Sequence, residues 1–499
     1  MEGSINHASV WKKSKRLLAP GVLAMCVSVL AACSVLPGIG SSATTVVVQA
    51  GALGKPVNES LLGVVSAGPA SAEAPIKALG LDYVRTNAYF SDQNYNCTTG
   101  RWNPSQLDAK VRQIEAEGAK PLVIVDYTPQ CLASGTMLPW QHNVTYDAPD
   151  GTPQDQAKWD SLVYQMAYKE IGSEHVRAFE IWNEPDGSFW NPGLPAYLHL
   201  YQDTATVIEK AAKALGVSDV QIGGPAMAFA DPVWATALLA FVTAHHLPLA
   251  FLSWHWYAND PLYGPMTNGP LPKTDYWYNP ALSAKTYGLE VAAMRAIVDR
   301  FPSVHPKLWI DEWNVDAGYD PRQNGPYGAA FAAAVLAEMQ ASGLNRACMY
   351  NVENSPGVKE WDYGLLNSKS QPKPVYEAFL YWHELAGRLA KVMVDSPDHV
   401  GALASVGQGG VVHVLVWNFL PYSLRGNYGT SDPNPADRTV NLSIDGLHGT
   451  YELTRQEVDA VHPQGAQVSS ARLSGPQAEL SFTAYGESVD LLTLSPLKS

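Results

Sequence analysis

Two stretches decide the fold: AFEIWNEPD, Ala178 to Asp186, and KLWIDEWN, Lys307 to Asn314. Each is a short apolar run that leads into a glutamate, Glu184 in the first and Glu312 in the second. Runs of this length without polar alternation predict strands buried on both faces, as in a parallel sheet covered by helices. Similar runs lie on either side: Leu61–Val65, Leu81–Thr86, Pro121–Asp126, Val220–Gly224, Ala250–Trp256 and Arg346–Val352. Ala178–Asn183 and Lys307–Trp313 are then the fourth and seventh of eight.

Helical patterns fill the intervals. In Pro104–Gly118, Leu107, Val111 and Ile114 recur at helical spacing, with Pro at the first helical position and Gly at the end. Asp160–Gly172, Ala196–Leu215, Val233–His246, Lys285–Phe301, Tyr327–Ser342 and Val375–Leu389 read the same way, and Ala72–Leu79 more weakly. Eight β–α units in order predict an α/β fold, a (β/α)8 TIM barrel over residues 61–389. After Leu389 the pattern turns to short strands separated by Gly, Pro, Asp and Asn. Residues 390–499 therefore read as an accessory C-terminal antiparallel β-sandwich. Its strands are placed at His399–Ser405, Gly410–Asn418, Arg438–Ile444, Gly449–Arg455, Ala471–Leu473 and Gln477–Phe482. Thr44–Val48, within residues 44–60, is a β-branched strand with no barrel role and is expected to pair with that sandwich.

Residues 1–32 read as an export signal. Lys12, Lys13, Lys15 and Arg16 precede an apolar run, Leu17–Ala32, that Pro20 and Gly21 interrupt. The run ends in Leu30-Ala31-Ala32-Cys33, which resembles the lipobox of bacterial lipoproteins, whose cysteine is lipidated and becomes the new N-terminus. That resemblance implies a lipid anchor at Cys33, a tether over 33–43, and a place in the cell envelope. Within it the outer membrane is favoured, because Ser34 stands where an inner-membrane retention signal would carry Asp, and the leaflet stays open. Of five cysteines, Cys97 and Cys131 follow consecutive predicted strands on one side of the fold. Export permits a disulfide between them, and free thiols are the alternative. No Cys/His spacing reads as a metal site, and no cofactor is called for.

The chain has 499 residues and a net charge of −14, which argues against a nucleic-acid partner. It carries 15 Trp and 24 Tyr, which suit flat, weakly charged ligands where they fall in loops. Trp140, Trp190, Trp277 and Trp361 follow the third, fourth, sixth and eighth strands and are candidates to stack on a sugar ring.

Two carboxylates facing each other across a barrel mouth can cleave a glycosidic bond. One protonates the leaving oxygen, and the other attacks the anomeric carbon or activates water. Trp182-Asn183-Glu184-Pro185 resembles the acid/base motif of clan A glycoside hydrolases, and the whole is most similar to glycoside hydrolase family 39. Tyr83-Val84-Arg85-Thr86, His255-Trp256-Tyr257, Asp311-Glu312-Trp313-Asn314, Tyr363–Asn367 and Lys373–Tyr376 carry the same resemblance, from Leu81 to Tyr376. It implies Glu184 as acid/base and Glu312 as nucleophile of a retaining, double-displacement hydrolase. Arg85 and Tyr257 would favour the ionised nucleophile, and Asn183 would bond the sugar 2-hydroxyl. His255 shares a strand face with Tyr257 and reads either as lining the same subsite or as a packed core histidine.

Asp311 departs from the family, which is expected to carry a small or hydroxyl residue there, and strand alternation points it away from Glu312. Glu180 reads as a buried structural carboxylate, and Asp186 and Glu353 as possible sugar contacts. The family includes β-xylosidases, iduronidases and exopolysaccharide hydrolases. The envelope location and loop aromatics favour endo-hydrolysis of a β-linked exopolysaccharide slightly over exo β-xylosidase action. A carbohydrate-binding lipoprotein on an inactive barrel and a transglycosylase using the same glutamates are the alternatives. The oligomeric state stays open.

Overall fold

The computed structural model describes residues 43–129, 131–133, 156–187, 189–190, 192–258, 283–315, 321–354, 363–395, 400–420 and 436–497. Cys33, Trp140, Trp277 and Trp361 lie outside them, as does the export segment. Among the described residues no helix is long and apolar enough to cross a membrane.

Eight parallel strands close into a barrel in sequence order: Gly63–Val65, Tyr83–Asn87, Lys120–Val125, Ala178–Ile181, Gln221–Met227, Phe251–Tyr257, Lys307–Asn314 and Arg346–Met349. Helices follow them on the outside, from Glu73–Ala78 to Pro374–Glu384. The interior is layered. Toward the strands' N-terminal ends, Tyr83, Leu122, Ala178, Phe251, Trp309 and Cys348 form an apolar plug. Phe251 and Trp309 stack at 3.7 Å, and the Arg346 guanidinium sits 4.1 Å from the Tyr83 ring centre. Two residues further along the strands come Arg85, Glu180, Ser253 and Asp311, all buried and polar. The barrel therefore changes from apolar to charged within one side-chain step, and the charged layer underlies the mouth.

The C-terminal region is one nine-stranded sheet that curls on itself. Arg455, near one edge, donates to the Thr483 carbonyl of the opposite edge strand at 2.9 Å. The N-terminal strand, Thr44–Pro56, lies inside this sheet, antiparallel to Arg388–Val394 and parallel to Arg438–Asp445. Its Thr44, Val46, Val48 and Ala50 are buried at period two, as one face of a strand requires. Two strands were not legible in advance. Arg388–Val394 directly follows the last helix and reads as its continuation, and Ser488–Pro496 is a central strand with few turn signals around it.

Sheet and barrel share a core. Helix Pro326–Ser342 is buried almost all round, with Tyr327 and Phe331 packed on Phe419 of the sheet region at 5.4 and 5.9 Å. Val489 and Leu491 join the same cluster.

Val48→Asp would put an unpaired carboxylate into the sheet core. We expect it to cost about 3 kcal/mol in denaturant unfolding. A change near zero would mean that the N-terminal strand is not part of the stabilising core.

Candidate active site

The mouth is a cavity of about 420 Å³ lined by residues that include Arg85, Asn87, Tyr127, Asn183, Glu184, Phe189, Tyr257, Glu312, Tyr350 and Tyr363. Glu184 and Glu312 both face it and are partly exposed. One carboxylate oxygen of each, and a ring nitrogen of His255, lie within 4.8 Å of one another.

Backbone irregularities bring these groups together. The fourth strand ends at Ile181, and Trp182 and Glu184 then adopt left-handed conformations, with φ of 75° and 46°. Such values are strained for non-glycine residues. Here they end the strand's alternation, so neighbouring Asn183 and Glu184 both line the cavity. The Glu184 N–H is held by the Ala226 carbonyl at 2.8 Å, and Ala226 is itself left-handed. The seventh strand carries a bulge. Ile310 pairs with Trp254 and Glu312 with His255, so Asp311 is the extra residue. Asp311 accordingly does not point away from Glu312, as simple alternation predicts. It faces the barrel interior, 3.5 Å from Arg85 Nε and 3.8 Å from His255 Nε2.

Arg85, only 1 % exposed, ties the site together. Its Nη1 donates to Glu312 at 3.1 Å, its Nε to Glu180 at 2.7 Å, and its Nη2 to the Asn183 side-chain oxygen at 2.8 Å. Burial pulls the guanidinium toward neutrality, but the charges of Glu180, Asp311 and Glu312 outweigh it and hold the proton firmly. The Tyr257 hydroxyl donates to the other Glu312 oxygen at 2.5 Å. Burial and the Glu312 charge push that phenol well above its usual range, so it remains a donor. Glu180 is the structural carboxylate expected. Burial would raise it, yet Arg85 and its hydrogen bonds leave it below the ordinary value.

Three expectations are corrected. His255 is fully buried and does not line the cavity. It stands behind Glu184, its Nδ1 at 2.8 Å from Glu184 Oε1. Burial lowers its pKa, but Glu312 and Glu184 reverse this and raise it. Trp190 is buried too: its ring packs edge-on against Trp182 at 5.0 Å and its N–H is spent on the Gly193 carbonyl. Asp186 accepts the Ala228 N–H at 2.8 Å, and Glu353 accepts the Ser370 hydroxyl at 2.6 Å; neither lines the cavity.

Among the described residues the rings that line it, besides Tyr257, are Tyr127, Phe189, Tyr350 and Tyr363, none of which the sequence singles out as a sugar platform. Tyr127 and Tyr350 each follow the end of a barrel strand by one or two residues, and that position was the available signal. Phe189 stacks on Tyr127 at 5.8 Å, and the Tyr127 hydroxyl accepts from Asn183 at 3.1 Å. Near the rim, Cys97 and Cys131 are bonded as a disulfide. Glu184, His255 and Glu312 could be read as metal ligands, but Arg85 and Tyr257 already engage both Glu312 oxygens and the guanidinium supplies the local positive charge.

The sequence profile of the glycosyl hydrolases family 39 matches residues 72–468. The chain belongs to this family. A β-xylosidase of Caldicellulosiruptor saccharolyticus is 25% identical over 408 residues, 76% of each chain. A β-xylosidase of Geobacillus stearothermophilus is 29% identical over 310 residues, 58% of this chain and 57% of the other. The fold matches a family 39 enzyme of Xanthomonas axonopodis pv. citri, with TM-score 0.73, 23% identity, and coverage of 93% of this chain and 100% of that one. A monomeric β-xylosidase of Caulobacter crescentus CB15 gives TM-score 0.71 at 20% identity over 91% of this chain and 100% of that one. The family 39 chain is thus a glycosidase, an O-glycosyl hydrolase.

Asp186 yields a pH test. Burial first, then the charges of Glu184 and Asp231, lift its pKa from 3.8 to about 7 against the Ala228 hydrogen bond. Its folded pKa exceeds its unfolded one. Its contribution is therefore full below about pH 4 and lost as pH rises through about 7. Asp186→Asn keeps an acceptor for Ala228 and removes the titration. Its melting temperature should depend less steeply on pH in that window, and an unchanged slope would refute the buried, proton-bearing carboxyl.

Proposed function

We propose that this family 39 enzyme is a retaining β-glycosidase in which Glu312 is the nucleophile and Glu184 the acid/base. The observation that carries the reading is the closeness of the two carboxylates, with oxygens of each within 4.8 Å. Retaining enzymes need about 5–5.5 Å between carboxyl groups, whereas inverting ones hold them about 6.5–9.5 Å apart to fit a water. The environments fit the roles. Glu312 receives hydrogen bonds from Arg85 and Tyr257 on both oxygens, which favours a carboxylate poised to attack. Among the described residues the Glu184 carboxyl is held by His255, an ionisable partner suited to a group that must give up a proton and take one back.

In the first step Glu312 attacks the anomeric carbon while Glu184 protonates the departing oxygen. In the second, Glu184 takes a proton from water, which displaces Glu312 with net retention. Asn183 keeps capacity to meet the sugar 2-hydroxyl, its orientation fixed by Arg85 and Tyr127.

The substrate proposed is a neutral β-linked sugar, with β-xylosides at chain ends first. Two relatives named β-xylosidase support this and shift the balance from the exopolysaccharide favoured by the sequence alone. Arg85, the one cation among the described lining residues, already bonds Glu180, Glu312 and Asn183, which favours a neutral sugar over a uronate. The lipobox-like Cys33 supports placing the enzyme on the cell envelope.

The roles separate by azide rescue. Glu312→Ala should abolish turnover, because no covalent intermediate can form. Glu184→Ala should lose natural substrates by about 10²–10⁴-fold but still glycosylate with activated aryl β-xylosides. Azide should rescue it, giving the β-azide, while Glu312→Ala with azide gives the α-azide. The opposite pairing would reverse the roles. Release of xylose from aryl β-xyloside and xylo-oligosaccharides, with no chain-length drop in polymers, would establish exo action.

A further inference from the structure

The barrel interior holds more carboxyls than its cations can satisfy. Glu180, Asp311 and Glu312 surround the single guanidinium of Arg85, and Glu184 lies just beyond His255. Glu180 and Asp311 are each at most 1 % exposed, too deep for water to screen two adjacent charges.

The hydrogen-bond pattern decides which of the two carries the proton. Ser253 accepts the Ala226 N–H at 3.0 Å, so its one hydrogen goes to Glu180 Oε1 at 2.5 Å. Arg85 Nε–H is spent on Glu180 Oε2 at 2.7 Å. Both oxygens of Glu180 therefore receive donors, as an ionised carboxylate requires. Neither oxygen of Asp311 receives a hydrogen bond from a donor among the described residues. We propose that Asp311, which the strand bulge lets share the barrel interior with Glu312, is a positioning residue that acts as a neutral acid. It donates its O–H to Glu180 beneath the nucleophile and leaves Arg85 bound to Glu312.

Burial and the Glu180 charge both push the Asp311 carboxyl well above its ordinary range, in keeping with this. The other titratable groups around it are Arg85 on the second strand, His255 on the sixth and Cys348 on the eighth, while Asp126, just past the third, acts on Arg85 and Glu180. Asp126 and Cys348 are themselves raised by burial, Asp126 to about 8, so neither adds a charge at neutral pH. An ionised Asp311 would compete with Glu312 for Arg85 and draw a proton onto His255. A neutral one does neither.

The inference rests on Glu312 being the nucleophile, which the Glu184 and Glu312 variants test separately; Asp311 variants should keep anomeric retention. Asp311→Val has a similar shape and no donor. We expect kcat to fall by at least about tenfold with KM changed less than about threefold. Asp311→Asn can donate an N–H to Glu180 and should recover most of that loss. Its pH profile for kcat/KM should keep both limbs within about 0.3 unit of wild type, because one neutral group replaces another. If Asp311 is ionised in the native enzyme, Asp311→Asn removes a charge beside Arg85 and His255. The limbs then move acidward by about one unit or more, which overturns the proposal. Equal kcat for the Val and Asn variants would overturn it too. Should the Val variant not fold, infrared difference spectra of wild type against Asp311→Asn decide the matter. The carbonyl band of a protonated carboxylic acid must disappear, and its absence from wild type refutes the neutral acid.

Discussion

Arg85 is the constraint on which the site depends. Its guanidinium joins the second strand to Glu180 and Asn183 of the fourth and Glu312 of the seventh. A buried guanidinium loses its hydration and needs several well-placed acceptors in return. Two of those acceptors, Glu312 and Asn183, are the groups to which the proposed mechanism gives roles. The planar fork sets their mutual angles, so the spacing of Glu312 and Asn183 is fixed by a rigid cation rather than by loops. Removing Arg85 would leave buried carboxylates uncompensated, a loss of about 3–5 kcal/mol. Stability and catalysis here draw on the same contacts.

What surrounds that guanidinium is made by departures from regular strand geometry. An ideal strand sends alternate residues to opposite faces. It could not present Asn183 together with Glu184, or Asp311 together with Glu312. The left-handed residues at 182 and 184 achieve the first and the bulge at 311 the second. Bulges and strained residues gather at functional sites because they re-aim side chains at the cost of local stability. The strongly bonded layer beneath supplies the compensation.

These departures also mark what was legible in the sequence. The eight short apolar runs, their helices and the two glutamates at strand ends could be read directly, because strand burial and helical spacing leave periodic traces. Asp311 could not be placed, since alternation carries no sign of a bulge. His255 was assigned to the right face but its distance from solvent stayed open; depth in a barrel depends on the stagger of neighbouring strands, which no single strand encodes. Trp190 looked like a sugar platform because it follows a strand end. In the structure Trp182 and Tyr197 pack edge-on against its ring, and the Gly193 carbonyl takes its N–H. The platform is built instead from Phe189 and tyrosines, whose hydroxyls let them serve packing and hydrogen bonding together.

The curled sheet belongs to the same argument. Helix Pro326–Ser342 carries the run Ala329-Ala330-Phe331-Ala332-Ala333-Ala334, apolar on every side. A helix with that pattern cannot face water and must be covered. Its Phe331 meets Trp313 of the seventh strand at 6.2 Å and Phe419 at 5.9 Å, and Val489 and Leu491 lie in the same cluster. The seventh strand, which carries Asp311 and Glu312, is thus backed by a helix that is itself clamped by the sheet. The N-terminal strand threads through that sheet between Arg388–Val394 and Arg438–Asp445, so Thr44–Pro56 helps hold the clamp. A bulged strand under the load of several buried carboxyls needs rigid support from outside the barrel. The sheet provides it, which gives a catalytic barrel a physical reason to carry a second domain that contributes none of the described residues lining its cavity.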